Sequence, residues 1–262
     1  LRLTLAPLGS LTDDDKQFLL EQFFSINHDR IIRSYPRYAQ LLDLAQLVGK
    51  DYHLLGDGFW QDLRAWFNLA WIDPNWLERH PTLRALVERG RDFTDAEIRS
   101  IVEIQREIIR QILPLARKLI DAGQLECSTT PYYHPIGPLL VDTRAALEAV
   151  PDLPLPATRY EHPEDAAEQI RLAIDAHQRY FGRLPTGVWP AEGSVSQQFV
   201  GLLAEHPSVR WIATDEAILA GSTGQWVERD AYGHVNNPRF LYQPYAVSQL
   251  PSSKRNGQPV AM

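Results

Sequence analysis

Three short strand-like runs, QLECST at 124–129, TGVWPA at 186–191 and RWIAT at 210–214, are separated by longer stretches with helical signals. Strand, helix, strand, helix, strand at this spacing predicts parallel pairing. Parallel neighbours need a crossover of a dozen or more residues, whereas antiparallel ones need only a tight turn. The helix after the first strand is expected to open at Pro163, with Glu164 and Asp165 in its first turn, to run through Ala166–Phe181 and to stop at Gly182. Ser194 is expected to cap the next one, over Val195–Glu205. This alternation places the chain in the α/β class, as an open doubly wound sheet or a barrel, and periodicity does not choose between the two.

The first half is different: residues 1–122 read as mostly helical. Thr12 and Asp15 form a capping pair before Lys16–Phe24, an amphipathic stretch covers Tyr35–Val48, and Thr94 with Glu97 opens a further helix. In that helix Ile98, Ile101, Ile104, Ile108, Ile112 and Leu115 form an apolar face. Pro114 is expected to kink it, and Gly123 to stop it in the left-handed conformation. Trp60, Leu63, Trp66, Phe67 and Ala70 fall on one face of the run 59–71, which reads as a buried aromatic stripe. The Pro-rich piece 151–156 lies in the connection 130–162 and reads as ordered loop, because its flanks belong to one alternation. Residues 1–262 are therefore taken as one domain, with a helical part at 1–122 and a βα core at 123–262.

Composition narrows the partners. Twenty-six Lys and Arg against 33 Asp and Glu give a net charge of -7, a field that repels a phosphate backbone, so nucleic acid is a poor partner. No run approaches the roughly 18 apolar residues of a membrane span, and the opening residues lack the organisation of a secretory signal. The single cysteine, Cys127, permits no internal disulfide and fits a reducing, cytoplasmic compartment. The one methionine is Met262, so the sequence reads as an internal piece of a longer protein.

In parallel α/β folds reactive groups collect at the carboxyl ends of strands. Glu192 follows the second strand directly, Asp215 follows the third, and Glu126 lies within the first with His134 in the adjoining loop. Two carboxyl groups on neighbouring strand ends are the machinery of glycosidic cleavage: one stays ionised and the other donates a proton. The competing reading is that Glu192 and Asp215 only cap the helices that follow them. Glu216, adjacent to Asp215, is an alternative acid, although strand alternation would let only one of the pair face a pocket. No His, Cys and carboxylate cluster has metal-ligand spacing, and no glycine-rich phosphate loop is present, so neither a metal nor a cofactor is implied.

At these residues the sequence resembles glycoside hydrolase family 57. GQLECSTTPYYHPIGPLL at 123–140, GVWPAEGSVS at 187–196 and WIATDE at 211–216 are similar, in order, to the family's second, third and fourth sequence regions. YPRY at 35–38 and WFNLAWIDP at 66–74 resemble its α-amylase and amylopullulanase branch. The resemblance implies an incomplete, seven-stranded (β/α) barrel of TIM-like form with a large helical portion. Here it would be truncated at both ends, since the family's first and fifth regions have no match. It further implies a retaining hydrolase acting on α-glucans such as starch, glycogen or maltooligosaccharides, with Glu192 as nucleophile and Asp215 as acid/base. Glu126 and Trp189 match positions lining the donor-sugar site, and His134, Tyr132 and Glu216 are further candidates for sugar contacts. The same residues serve a 4-α-glucanotransferase or branching enzyme, and a non-catalytic α-glucan-binding barrel is the reading from another class. For retention the two carboxyl groups should stand about 5–5.5 Å apart.

Overall fold

A computed structural model describes residues 1–247. The chain divides into two compact units, Leu1–Ile112 and the remainder from Leu113. The division falls within one long helix.

The first unit contains α1 (Arg2–Leu5), α2 (Asp13–Gln22), α3 (Pro36–Val48), α4 (Asp57–Ala70), α5 (Pro74–Arg79) and α6 (Pro81–Arg89), followed by α7 (Asp95–Asp121), in which the division falls. The local signals are realised. Thr12 and Asp15 form a reciprocal capping box at the start of α2. At the start of α7 the Thr94 N–H donates to Glu97 Oε2 at 2.8 Å while the Glu97 N–H donates to Thr94 Oγ1 at 3.3 Å. Arg89 grips the same carboxylate with two bonds of 2.7 and 2.8 Å, and this guanidinium holds Glu97 down at about 2.

The aromatic stripe of α4 is core, as expected: Trp60, Leu63 and Trp66 are buried, with Phe67 and Ala70 packed partly buried against them. The Trp66 ring lies 4.8 Å from Tyr35 and 6.1 Å from Phe93, and its indole N–H donates to Gly90 O at 2.8 Å. The two flanks of that stripe bury charge. Asp62 and Arg64 have no exposed side-chain surface; Asp62 is bridged by Arg37 at 2.7 Å, and Arg64 reaches Asp95 at 3.1 Å. Burial draws the Arg64 guanidinium below its ordinary pKa, with Asp95 opposing the shift.

The face expected of α7 is only partly internal. Ile98, Ile101 and Ile104 are buried, but Ile112 and Leu115 are more than half exposed. The apolar period continues past the residues that the first unit's core covers, so periodicity alone overstated the burial. The helix runs unbroken through Pro114, which lies inside it, and Gly123 beyond its end has φ of 69°.

The second unit, described to residue 247, contains α8 (Gly137–Val141), α9 (Ala146–Ala149), α10 (Pro163–Phe181), β1 (Gly187–Val188), α11 (Gln197–Ala204), β2 (Trp211–Ile212), α12 (Glu216–Thr223) and α13 (Pro238–Leu241). The parallel pairing is present: β1 pairs with β2 in parallel, Gly187 opposite Trp211 and Val188 opposite Ile212, while Thr129 forms a parallel bridge to Val188 on the other side. Val188 and Ile212 are buried in one cluster with Ile170 and Ile174 of α10 and Phe199 and Leu203 of α11, so crossover helices cover one face of the pair.

The strands are much shorter than the runs that announced them, and among the described residues the sheet has two named strands within a mostly helical chain. Local competition for backbone groups accounts for the loss. Gln124 N–H donates to Leu119 O at the end of α7, Cys127 O contacts His177 Nε2 at 3.1 Å, and Pro190 has no N–H to extend β1. The predicted cap also moves. Ser194 closes a 3-10 turn, with its N–H on Ala191 O, and it is Ser196 whose hydroxyl accepts from Phe199 N to begin α11.

Two glycines of this unit are there for close approach. A Cβ on Gly187 would stand 2.1 Å from the Trp211 ring, which lies across β1. On Gly137, at the start of α8, a Cβ would stand 2.3 Å from the buried Phe199 ring. Gly137→Ala is therefore expected to push Phe199 out of its position and to destabilise this unit by about 2 kcal/mol, read as a lowered urea midpoint with unchanged slope. An unchanged midpoint would mean that the ring has room to move.

Candidate active site

After β1 the chain passes through Trp189 and Pro190 into a 3-10 turn, Ala191–Gly193, in which Glu192 adopts φ 54°, ψ 23°. That left-handed conformation is uncommon outside glycine, and it lifts the Glu192 side chain off the turn, leaving it 67% exposed. Among the described residues the other non-glycine residues with positive φ are Asp92 and His134. His134 and Glu192 meet: His134 Nε2 lies 2.9 Å from Glu192 Oε1. Two residues in a sparsely populated backbone state, 58 positions apart and joined by one hydrogen bond, are the pattern expected where strain serves a site.

The loop bearing His134 is fixed from several sides. Thr129 is anchored to β1, Tyr132 N donates to Gln169 O at 3.2 Å, Tyr133 N donates to Gln169 Oε1 at 2.9 Å, and His134 N closes a turn onto Pro131 O. The His134 ring contacts Thr130 Oγ1 through Nδ1 at 3.2 Å and leans on Trp189 at 5.3 Å between ring centres. Trp189 is 42% exposed, so part of its indole face remains open beside the histidine.

Asp215 follows β2 by three residues as the N-cap of α12, and its Oδ1 accepts from Ala217 N at 2.7 Å. The Glu192 turn and the Asp215 cap are joined directly. Thr214 Oγ1 donates to Gly193 O at 2.6 Å, and a Cβ on Gly193 would stand 3.4 Å from Asp215 N. With φ of 69°, Gly193 also requires the left-handed region, so glycine serves both the turn and the close approach. Asp215 does cap the following helix, as the competing reading held. Glu192 does not: its carboxylate goes to His134.

The remaining candidates are placed differently from one another. Glu216, the first residue of α12, is paired with Arg229 at 2.7 Å, and Asp215 and Glu216 border an open cavity of about 270 Å3 with Leu241, Gln243 and Tyr245. Tyr132 packs edge-on against Tyr133 at 4.8 Å and is 47% exposed. Glu126 accepts from Thr186 Oγ1 and from Trp211 Nε1, the second at 3.1 Å, and these bonds, Thr186 first, lower its pKa. Its partners belong to the beginnings of the strands that Glu192 and Asp215 follow, and it borders a separate cleft of about 600 Å3 with Cys127, His177 and Arg183. Thr130, Thr214 and Gln169 went unnoticed in the sequence because a lone hydroxyl or amide carries no motif of its own. Among the described residues no group of three or more His, Cys, Asp or Glu could hold a metal ion, and no helix is long and apolar enough to cross a membrane.

A family model described as glycosyl hydrolase family 57 matches residues 15–253. The chain belongs to glycosyl hydrolase family 57. No curated protein matches it. Among solved structures it is similar to the α-amylase AmyC from Thermotoga maritima, with 15% identity and a TM-score of 0.38 over 93% of this chain and 41% of that one. The family 57 chain spans less than half the length of AmyC.

Proposed function

We propose that this family 57 chain carries the catalytic pair of a retaining glycoside hydrolase acting on α-glucans, with Glu192 as nucleophile and Asp215 as acid/base. The observation that carries the reading is the junction of the two strand ends, where Thr214 bonds to Gly193 and sets the Glu192 turn against the backbone of Asp215. Two carboxyl groups on adjoining strand ends suit a double displacement. In the first step a Glu192 oxygen bonds to the anomeric carbon as the bond from that carbon to the leaving oxygen breaks, and the Asp215 proton passes to that oxygen. In the second, Asp215 takes a proton from water, whose oxygen displaces Glu192 from the anomeric carbon. Configuration is inverted twice and so retained.

The half-open Trp189 indole offers a flat face for a sugar ring, and His134, Tyr132 and Glu216 are proposed for sugar hydroxyls, whereas Glu126, bonded at the beginnings of the strands, is not. The short parallel pairing, with crossover helices on one face, supports assigning these strands to an incomplete (β/α) barrel. One family match running from 15 to 253 through both compact units supports treating them as parts of one catalytic domain.

The test is to digest a maltooligosaccharide of defined length and follow the anomeric protons of the first product by NMR. A first product of α configuration is expected. A β product would overturn the double displacement, and binding without cleavage would favour a non-catalytic glucan-binding role. Products longer than the substrate would identify a glucanotransferase that uses the same two residues.

A further inference from the structure

We propose that Thr130 is a positioning residue of this site, fixing the His134 ring in the orientation and tautomer that hold one oxygen of Glu192 and leave the other free to react. The inference rests on the reading of Glu192 as nucleophile, which requires a carboxylate there. A carboxylate only accepts hydrogen bonds, so the 2.9 Å contact makes His134 Nε2 the donor. A neutral imidazole has one donor and one acceptor nitrogen, so Nδ1 must accept, and the hydroxyl 3.2 Å away on Thr130 is the donor that satisfies it.

The geometry is built for this relay. Thr130 comes directly after Thr129, whose N–H and carbonyl are both bonded to the backbone of the β1 strand, so its hydroxyl is presented from a fixed base. The turn closed by His134 N on Pro131 O, together with the left-handed φ of 57° at His134, brings the ring back over a residue four positions earlier. Trp189 limits rotation of the ring from the side. Without the hydroxyl, Nδ1 loses its donor and the tautomer protonated at Nε2 is no longer favoured. A ring with its proton on Nδ1 would set the Nε2 lone pair against the carboxylate and release Glu192. Glu192 Oε2 has no protein hydrogen bond among the described residues, which makes it the oxygen that attacks.

The experiment is 15N NMR of the full chain labelled at histidine, above the imidazole titration range, with the His134 signals assigned by their loss in His134→Gln. Wild type and Thr130→Ser are expected to show His134 protonated at Nε2 with Nδ1 hydrogen-bonded. Thr130→Val, which keeps the shape and removes the hydroxyl, should shift Nδ1 toward a free or mixed-tautomer value. The same variant should lower kcat on a maltooligosaccharide about tenfold with little change in KM, and serine should restore it. An Nδ1-protonated His134 in wild type would overturn the proposal, as would Thr130→Val with an unchanged spectrum or an unchanged kcat. The spectrum needs no turnover, so the two readings fail separately. If Glu192→Ala stays active the nucleophile assignment falls, whereas an inactive Glu192→Ala beside an unaltered Thr130→Val removes only the relay.

Discussion

Glu192→Ala is expected to lower turnover of an α-glucan by about 10^4-fold or more, because in the proposed double displacement Glu192 forms the glycosyl-enzyme bond. Azide, small enough to occupy the space left by the carboxylate, should restore part of the rate and yield a glycosyl azide whose configuration is opposite to that of the substrate. The structure makes this a clean comparison. Glutamate and alanine bear the same cost of about 1–2 kcal/mol in the left-handed conformation, so the backbone strain at 192 is unaltered. The side chain is two-thirds exposed and its hydrogen-bond partner is the part-exposed His134, so little packing is lost. Circular dichroism melting should therefore move by only a few degrees while activity disappears. Near-normal turnover in this variant would transfer the nucleophile's role to another group. Loss of activity together with loss of folding would show that the Glu192 to His134 bond holds the turn.

Arg64→Ala is expected to destabilise the first unit by about 3–5 kcal/mol, a large share of the stability of a domain. The guanidinium is fully buried, and its Nη1 donates to Ala6 O at 2.6 Å and to Thr4 O at 3.3 Å, while Nη2 bonds to Gln61 and reaches Asp95 at 3.1 Å. Truncation leaves those carbonyls without a donor, leaves Asp95 without its cation and opens a cavity beside the α4 core. Among the described residues Arg64 Nε has no hydrogen-bond partner, so the guanidinium's bonds come from its two terminal nitrogens. Urea unfolding followed by the fluorescence of the buried Trp60 and Trp66 would read the effect in the same unit. Arg64→Met should lose less than alanine, because it fills the volume while still leaving the carbonyls bare. A loss under about 1 kcal/mol in the alanine variant would mean that water takes over the guanidinium's bonds.

Neither buried charged residue of α4, Asp62 or Arg64, was visible as important in the sequence. The periodic stripe of Trp60, Leu63 and Trp66 identified one side of the helix as core, but Asp62 and Arg64 lie at the two borders of that stripe, where a helical wheel does not decide between core and solvent. They are buried because Arg37, 25 residues earlier, and the opening residues, about 60 earlier, come to cover them. Pairing at that separation has no local signature.

The same division runs through the site. The chain sequence by itself determined the capping boxes at Thr12 and Thr94, the stop of α10 at Gly182, the parallel sense of the strand pairs, and the placement of Glu192 and Asp215 after consecutive strands. Each of these depends on residues within a turn or two of one another, or on the length of one crossover, which the order of residues encodes directly. Tertiary structure decided how far each strand extends, because a ladder requires a neighbour to accept its bonds, and α7, His177 and Pro190 take or remove those groups first. It decided that Ser196 rather than Ser194 begins α11, since Ser194 is already bound into the preceding turn. It also decided that Glu192 is held by His134 and that His134 is held in turn by Thr130. That bond joins residues 58 positions apart through two left-handed backbone conformations, and only a fold that brings the strand ends together can sustain both.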